Sequence, residues 1–270
     1  MDAPLQRQAR DGLSEQARAV IEALLPLPSR SADEERDRRL AYLAVGCRLF
    51  GRHGFDNGVA GHMSARDPED ADRFWVNPVG RPFSMMRVSD LLLVDASGAV
   101  VKGDGQVNLA AFAIHSAVHR ARPDVVSAAH THSKYGRAWS TLGRLLAPIS
   151  QDACAFYEDH ALFDSYHGPA LEASEGEAIA AALGHHKAAV LCNHGLLTVG
   201  GSVEEAVWWF LSFEAACEAQ LLAESVGSPR PIAPEHAAAT ARQVGSPEIG
   251  RLSFMPYFLE VTTREPDVLR

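Results

Sequence analysis

Ser127-Ala128-Ala129-His130-Thr131-His132 is a run of small and β-branched residues that ends in two histidines one residue apart. Such a run favours an extended strand. Side chains two apart on a strand point to one face, so the imidazoles of His130 and His132 converge without further folding. Taken alone, the pair also describes a strand end with two hydrogen-bonded histidines. A second stretch, Val190-Leu191-Cys192-Asn193-His194-Gly195, repeats the pattern: an apolar run ends in a histidine, here followed by a glycine suited to a turn. Two strands with neighbouring ends would bring His130, His132 and His194 onto one metal ion.

The chain has 270 residues, 47% hydrophobic and 22% charged, enough for one large α/β domain or two small ones around a real core. Lysine and arginine number 25 against 34 acids, a net charge of −9. With no basic excess to neutralise phosphates, nucleic acid is not an expected partner. Cys47, Cys154, Cys192 and Cys217 are scattered and form no C-x-x-C pair, which reads as reduced thiols in a cytoplasmic protein. The first 18 residues are charged and lack an apolar leader core, and no 18-residue apolar run follows, so neither secretion nor membrane insertion is expected.

Residues 1–32 read as an N-terminal arm: an amphipathic piece at 13–25, then Leu25-Pro26-Leu27-Pro28. Ser31 is placed to cap a helix over about 33–53, with Leu40, Leu43, Ala44, Cys47 and Phe50 at helical spacing and Gly54 as its stop. Short apolar runs at 60–65, 74–77, 91–94 and 99–101 predict sequential, mostly antiparallel strands. Asn108 caps a second helix to about residue 120, and a third begins near Ser133 after the histidine strand. Beyond a mixed segment at 148–170, residues 175–184 read as a helix and 188–192 as a buried strand. Ser202-Val203-Glu204-Glu205 is a capping box opening a long helix with Trp209, Phe210, Phe213, Cys217 and Leu221 inside, ended by Gly227 and Pro229. The expected division is one metal-binding domain over 33–227 and a C-terminal helix and tail over 228–270 at a subunit interface. The element order predicts an α/β fold, a mixed sheet with helices on both faces.

Ile114-His115-(x)4-Arg120-Ala121-Arg122-Pro123-Asp124-Val125, then His130-Thr131-His132, then Asn193-His194-Gly195-Leu196-Leu197 occur in the order of a known family. Over roughly residues 36–226 the chain resembles the class II aldolase/adducin family, and Gly61-His62-Met63-Ser64-Ala65-Arg66 resembles that family's Gly-Asn-x-Ser-x-Arg loop. The resemblance implies a single three-layer αβα domain with a mostly antiparallel central sheet. It also implies a homotetramer with active sites between subunits and one divalent metal per subunit on His130, His132 and His194.

Departures from the aldolase pattern narrow the expectation. The Ser-Ser-Glu segment that holds phosphate and moves the proton in sugar-phosphate aldolases falls on Leu109-Ala110-Ala111. Between Gly105 and Ala129 the only carboxylate is Asp124, so no glutamate is present there for acid/base work. The chain is thus similar to family members that cleave carbon–carbon bonds in other substrates: pyridine-dicarboxylate decarboxylases, and the non-haem iron oxygenases of aminocoumarin antibiotic biosynthesis. The implied function is metal-dependent decarboxylation of an aromatic or 2-oxo acid, such as a prenylated 4-hydroxyphenylpyruvate, with Fe(II) favoured and Zn(II) the alternative. The other two readings are a zinc-dependent decarboxylase or retro-aldolase of a small hydroxy or oxo acid, and a non-catalytic adducin-like scaffold.

Remaining candidates follow from placement. Leu109, Ala110, Ala111 and Phe112 would line an apolar substrate pocket. His160 and Tyr157 are candidates for proton donor or substrate anchor, and Gln151 and Asp152 for ligand or histidine orientation. His62 and Ser64 stand where the phosphate loop would be and are candidate carboxylate anchors. His115 and His119, four apart on one helix face, suit either a second metal pair or one buried and one interface histidine.

Overall fold

The computed structural model describes residues 14–166, 168 and 173–270. After helix α1 (Glu15–Leu24), which buries Ile21, Ser31 caps α2 (Ala32–Arg52) by accepting the Glu34 N–H, and Gly54 at φ 72° turns the chain away. Strands β1 (His62–Arg66), β2 (Phe74–Val76), β3 (Leu92–Val94) and β4 (Val100–Lys102) form an antiparallel meander. Asn108 caps α3 (Leu109–Ala121) through the Ala110 and Ala111 N–H groups. There follow β5 (Ser127–Thr131), α4 (Lys134–Ser140), β6 (His160–Phe163), α5 (Ala173–Leu183), β7 (Ala188–Leu191), β8 (Gly195–Gly200) and α6 (Val203–Val226). Ser202 caps α6 on the Glu205 N–H, as its capping box predicts.

The eight strands make one sheet in the order β4-β3-β2-β1-β5-β8-β7-β6, antiparallel except for the β6–β7 pair. Adjacent residues on a strand serve opposite layers. Ala128, Leu191 and Leu197 pack under α3 and α5 with Ile114, Val118 and Ile179, whereas Ala129, Leu196 and Met63 pack under α2, α4 and α6 with Leu43, Trp139, Phe210 and Phe213. The expected αβα layering is therefore present. Helices α3 and α5 cross so closely that a Cβ on Gly176 would lie 2.1 Å from the Ala113 carbonyl oxygen.

Two strands were not read from the sequence. β6 emerges from the segment taken as mixed connection, and β8 separates β5 from β7, so the two histidine-bearing strands are not direct neighbours. Residues 228–270 carry two helices rather than one, α7 (Pro234–Val244) and α8 (Pro247–Arg264), and α8 buries Phe254 and Val261 in its own chain's core. The first 13 residues of the expected arm lie outside the described residues.

The family-like motifs act as struts. The Arg66 guanidinium donates to the carbonyls of His119, Arg122 and Val125 at the end of α3. Arg122 pairs with Asp124 and donates to the Gly184 and His186 carbonyls, tying that end to the approach to β7.

Candidate metal centre

Main-chain pairing assembles the centre. β5 lies between β1 and β8, in a register that sets His130 opposite His62 on one side and Leu197 on the other. Residues directly opposite in antiparallel strands share a face, and the His62 and His130 rings stand 4.8 Å apart. His132 follows one residue past the end of β5. His194 sits in the three-residue loop between Leu191 and Gly195, which pair across the β7–β8 hairpin. Its N–H donates to the Leu191 carbonyl at 3.0 Å, and the Asn193 N–H donates to the Ser140 carbonyl at 3.1 Å.

The glycine expected to make this turn does a different job. Asn193 takes the left-handed conformation, φ 57°, which asparagine tolerates. Gly195 lies so close to β5 that a Cβ would stand 2.7 Å from the Thr131 carbonyl oxygen.

His130, His132 and His194 meet. Their ring centroids are 5.3, 4.7 and 4.8 Å apart pairwise, and one nitrogen from each lies within 4.8 Å of the others. His130 is buried and donates its Nδ1–H to the Leu196 carbonyl at 2.8 Å, which leaves Nε2 with a free lone pair. Burial, then the neighbouring rings, hold His130 well below the usual histidine range. Burial and His132 bring His194 to about 4, and burial with Arg137 lowers His132. Three neutral imidazoles are the donor set a divalent ion requires, and no fourth protein ligand joins them among the described residues. His132 and His194 are only half-buried, so the group is open on one side.

The turn carrying His132 is pinned from α6. The buried Glu214 carboxylate accepts the Ser133 hydroxyl, the Tyr135 N–H at 2.8 Å and the Gly136 N–H at 2.6 Å. Burial raises its pKa against these hydrogen bonds.

Behind the centre runs a buried polar chain. His62 Nδ1 meets His115 Nε2 at 2.7 Å, His115 Nδ1 meets the Ser64 hydroxyl, and Ser64 meets His119 Nε2 at 2.9 Å. His115 and His119 are both buried, so neither is an interface residue on this chain, and both rings are hydrogen-bonded to Ser64, with His115 also bonded to His62. Burial, with His119 beside one and Arg66 beside the other, drives each to about 3. These folded values lie below the unfolded value of 6.5, so the stability they contribute is present above pH 6.5 and is lost as pH falls toward 3. Each ring should withdraw about 2–3 kcal/mol by pH 4.5. Urea unfolding of the metal-free protein between pH 7 and 4.5 should show this loss, with a flatter pH dependence in a His119→Phe variant; an unchanged slope in that variant would contradict it.

The remaining candidates are not brought to the centre. His160 on β6 accepts the Leu146 N–H at Nε2 and donates Nδ1–H to the Phe156 carbonyl, so both nitrogens are consumed by main chain. Ser64 is fully buried between the α3 histidines and reaches no open surface. Gln151 and Asp152 are exposed, and the Asp152 carboxylate has no hydrogen-bond partner among the described residues and orients no histidine. Tyr157, half-buried, follows the short turn Ala153–Phe156 beside α7. Ala111 is buried one turn before His115, whereas Leu109 is exposed and Phe112 packs on Phe74 away from the histidines. Two residues of the site surroundings had not been singled out: Glu214, and Arg137, exposed on α4 near His132. Arg137, five residues past His132, carried only a charge near a histidine as its signal.

Fold and site together define an α/β protein with a three-histidine group able to hold one divalent metal and leave it an open side. Residues 41–221 match the family model described as the class II aldolase and adducin N-terminal domain. The chain is 46% identical over 227 residues to decarboxylase NovR of Streptomyces niveus, covering 83% of this chain and 84% of that protein. It is equally 46% identical over 227 residues to the 4-hydroxy-3-prenylphenylpyruvate oxygenase/4-hydroxy-3-prenylbenzoate synthase of Streptomyces roseochromogenus subsp. oscitans, covering 83% and 82%. Among solved structures, the L-fuculose 1-phosphate aldolase from Glaciozyma antarctica PI12 superposes with a TM-score of 0.86 at 42% identity, covering 93% of this chain and 99% of that one. The chain belongs to the class II aldolase and adducin family and is one of its enzymes. No described helix is long and apolar enough to cross a membrane.

Proposed function

We propose that this enzyme decarboxylates an aromatic 2-oxo acid, an arylpyruvate such as prenylated 4-hydroxyphenylpyruvate, in an oxidative reaction that uses Fe(II) and dioxygen. The observation that carries this is the extent of identity to the two Streptomyces proteins, whose names speak of a decarboxylase and of a prenylphenylpyruvate oxygenase. The apolar Leu109-Ala110-Ala111 in place of a phosphate-binding, proton-moving segment supports it. A divalent ion on His130, His132 and His194 supplies a Lewis acid for carboxylate and carbonyl oxygens, and iron in that place adds redox chemistry. Around it, the chain's own groups divide the work. His62 packs its ring beside His130, and Arg137, exposed near His132, offers a charge for the substrate carboxylate.

The open side is closed by a neighbouring subunit of a homotetramer. Support comes from the half-exposed His132 and His194 and from Val59 and Leu109, 65% and 71% exposed, joined at the start of α3 by an Asn108 hydrogen bond to the Val59 carbonyl. Four buried free cysteines suit a reducing compartment such as the cytoplasm.

The test is reconstitution with Fe(II) without oxygen, addition of an arylpyruvate, then admission of air. Carbon dioxide should appear together with oxygen uptake. Carbon dioxide without oxygen uptake would overturn the oxidative assignment in favour of a zinc-dependent, non-oxidative decarboxylase, whereas an aldehyde product without carbon dioxide would favour a retro-aldolase, the reading to which the likeness to an L-fuculose 1-phosphate aldolase structure points.

A further inference from the structure

A cavity of about 410 Å³ lies between the linker that joins α1 to α2, the α2 helix itself, the start of α6 and α8. It is separate from the metal centre. Val126, which lines it, precedes β5 at the end opposite His130 and His132.

The charges around this cavity are only partly matched. The Glu35 carboxylate accepts from Arg38, from Arg39 at 2.7 Å and from the Ser29 hydroxyl at 2.9 Å, so these groups satisfy one another. Glu204, at the second position of α6, is different. It is 6% exposed, and among the described residues its carboxylate accepts no hydrogen bond and forms no ion pair. The Ser202 hydroxyl beside it is engaged by Glu205, whose N–H it accepts at 3.3 Å and whose Oε1 it meets at 3.2 Å. The Glu204 oxygens are not sealed off, and the surface they keep opens into the cavity. A carboxylate this buried is costly without hydrogen bonds or a cation, so the position favours a cation strongly.

Arg251 on α8 lines the same cavity and does not supply that cation. Its guanidinium stands 3.8 Å from Glu205 and 3.9 Å from Glu248, outside hydrogen-bond reach of either, and forms no ion pair with Glu204. One cavity is thus lined by a carboxylate and a guanidinium that do not meet. Leu25, Pro26 and Leu27 add an apolar wall from the linker. Tyr42 adds a buried ring held edge-on by Phe254 and Phe258, its hydroxyl without a hydrogen-bond partner among the described residues. The volume lies in the range of small-molecule sites.

We propose that this cavity binds a small α-amino acid with an apolar side chain, its ammonium on Glu204, its carboxylate on Arg251 and its side chain against Leu25, Pro26 and Leu27. A zwitterion matches both unmet charges at once, which neither a simple amine nor a simple acid does. The assignment does not depend on the reaction proposed for the metal centre.

The test is calorimetry on the full-length, metal-loaded protein with L-leucine and L-phenylalanine as probes. At least one of them should bind with one molecule per chain. Isoamylamine and isocaproate, which each keep one of leucine's two charges, should bind about tenfold more weakly or worse than the amino acid. Glu204→Gln and Arg251→Gln should each weaken amino-acid binding about tenfold or more while metal content stays at the parent value. Should Arg251→Gln loosen α8, Glu204→Gln, which keeps the shape and removes a buried charge, still decides. Failure of both amino acids to bind, or equal binding by Glu204→Gln and the parent, overturns the proposal. An amine that binds as tightly as the amino acid overturns the role of Arg251 and with it the amino-acid assignment.

Discussion

Replacing His194 by alanine should give a folded protein that retains less than about a tenth of its metal and loses at least about a thousandfold in activity. The size follows from the role: a metal Lewis acid is worth several kcal/mol of charge stabilisation, and about 4 kcal/mol is a thousandfold. His194 is the ligand candidate best suited to this experiment because the fold does not lean on its ring. It is half-buried in a hairpin turn whose hydrogen bonds, His194 N–H to Leu191 and Asn193 N–H to Ser140, are made by main chain and survive the substitution. His130 is a poorer choice, since its ring also braces the Leu196 carbonyl. Metal analysis and circular dichroism on the same sample separate the two effects. A His194→Ala protein that keeps stoichiometric metal would remove the centre described above.

Glu214→Ala should cost about 3 kcal/mol or more in stability, read by urea unfolding, and should weaken metal binding by about tenfold in the protein that remains folded. The carboxylate alone satisfies the Ser133 hydroxyl and the Tyr135 and Gly136 N–H groups at the turn that follows His132. Removing it leaves three polar groups without partners in a buried place, each costing about 1–3 kcal/mol. The turn then loses the contact that fixes where His132 points. Glu214→Gln, which keeps the oxygen acceptor but not the charge, should lie between the parent and the alanine variant. Equal stability of all three proteins would mean that α4 is held by its apolar contacts, among them Trp139, and not by Glu214.

The centre was legible in the sequence where it depended on local periodicity. Two histidines at strand spacing declare a common face, and a third after an apolar run declares another strand end. What could not be read was the strand between them. Every residue of Gly195-Leu196-Leu197-Thr198-Val199-Gly200 is buried, so the stretch lacks the alternation that marks a strand with one wet face. His160 was a candidate by its placement between the two histidine-bearing stretches, but the main-chain groups that consume its two nitrogens come from Leu146 and Phe156, and such pairings are set by folding rather than by composition. His115 and His119 were legible as one helix face. Their partner Ser64 lies on a strand more than 50 residues earlier, and no spacing rule connects them. Glu214 was hidden for the same reason, as an acid inside an apolar helix whose counterparts are amides of a distant turn.

The tight seat of Gly195 against the Thr131 carbonyl carries a consequence for the three histidines. The distance between the end of β5 and the loop that carries His194 is set at this point by backbone contact. Even the smallest side chain at position 195 would lever that hairpin off the strand and draw His194 away from its two companions.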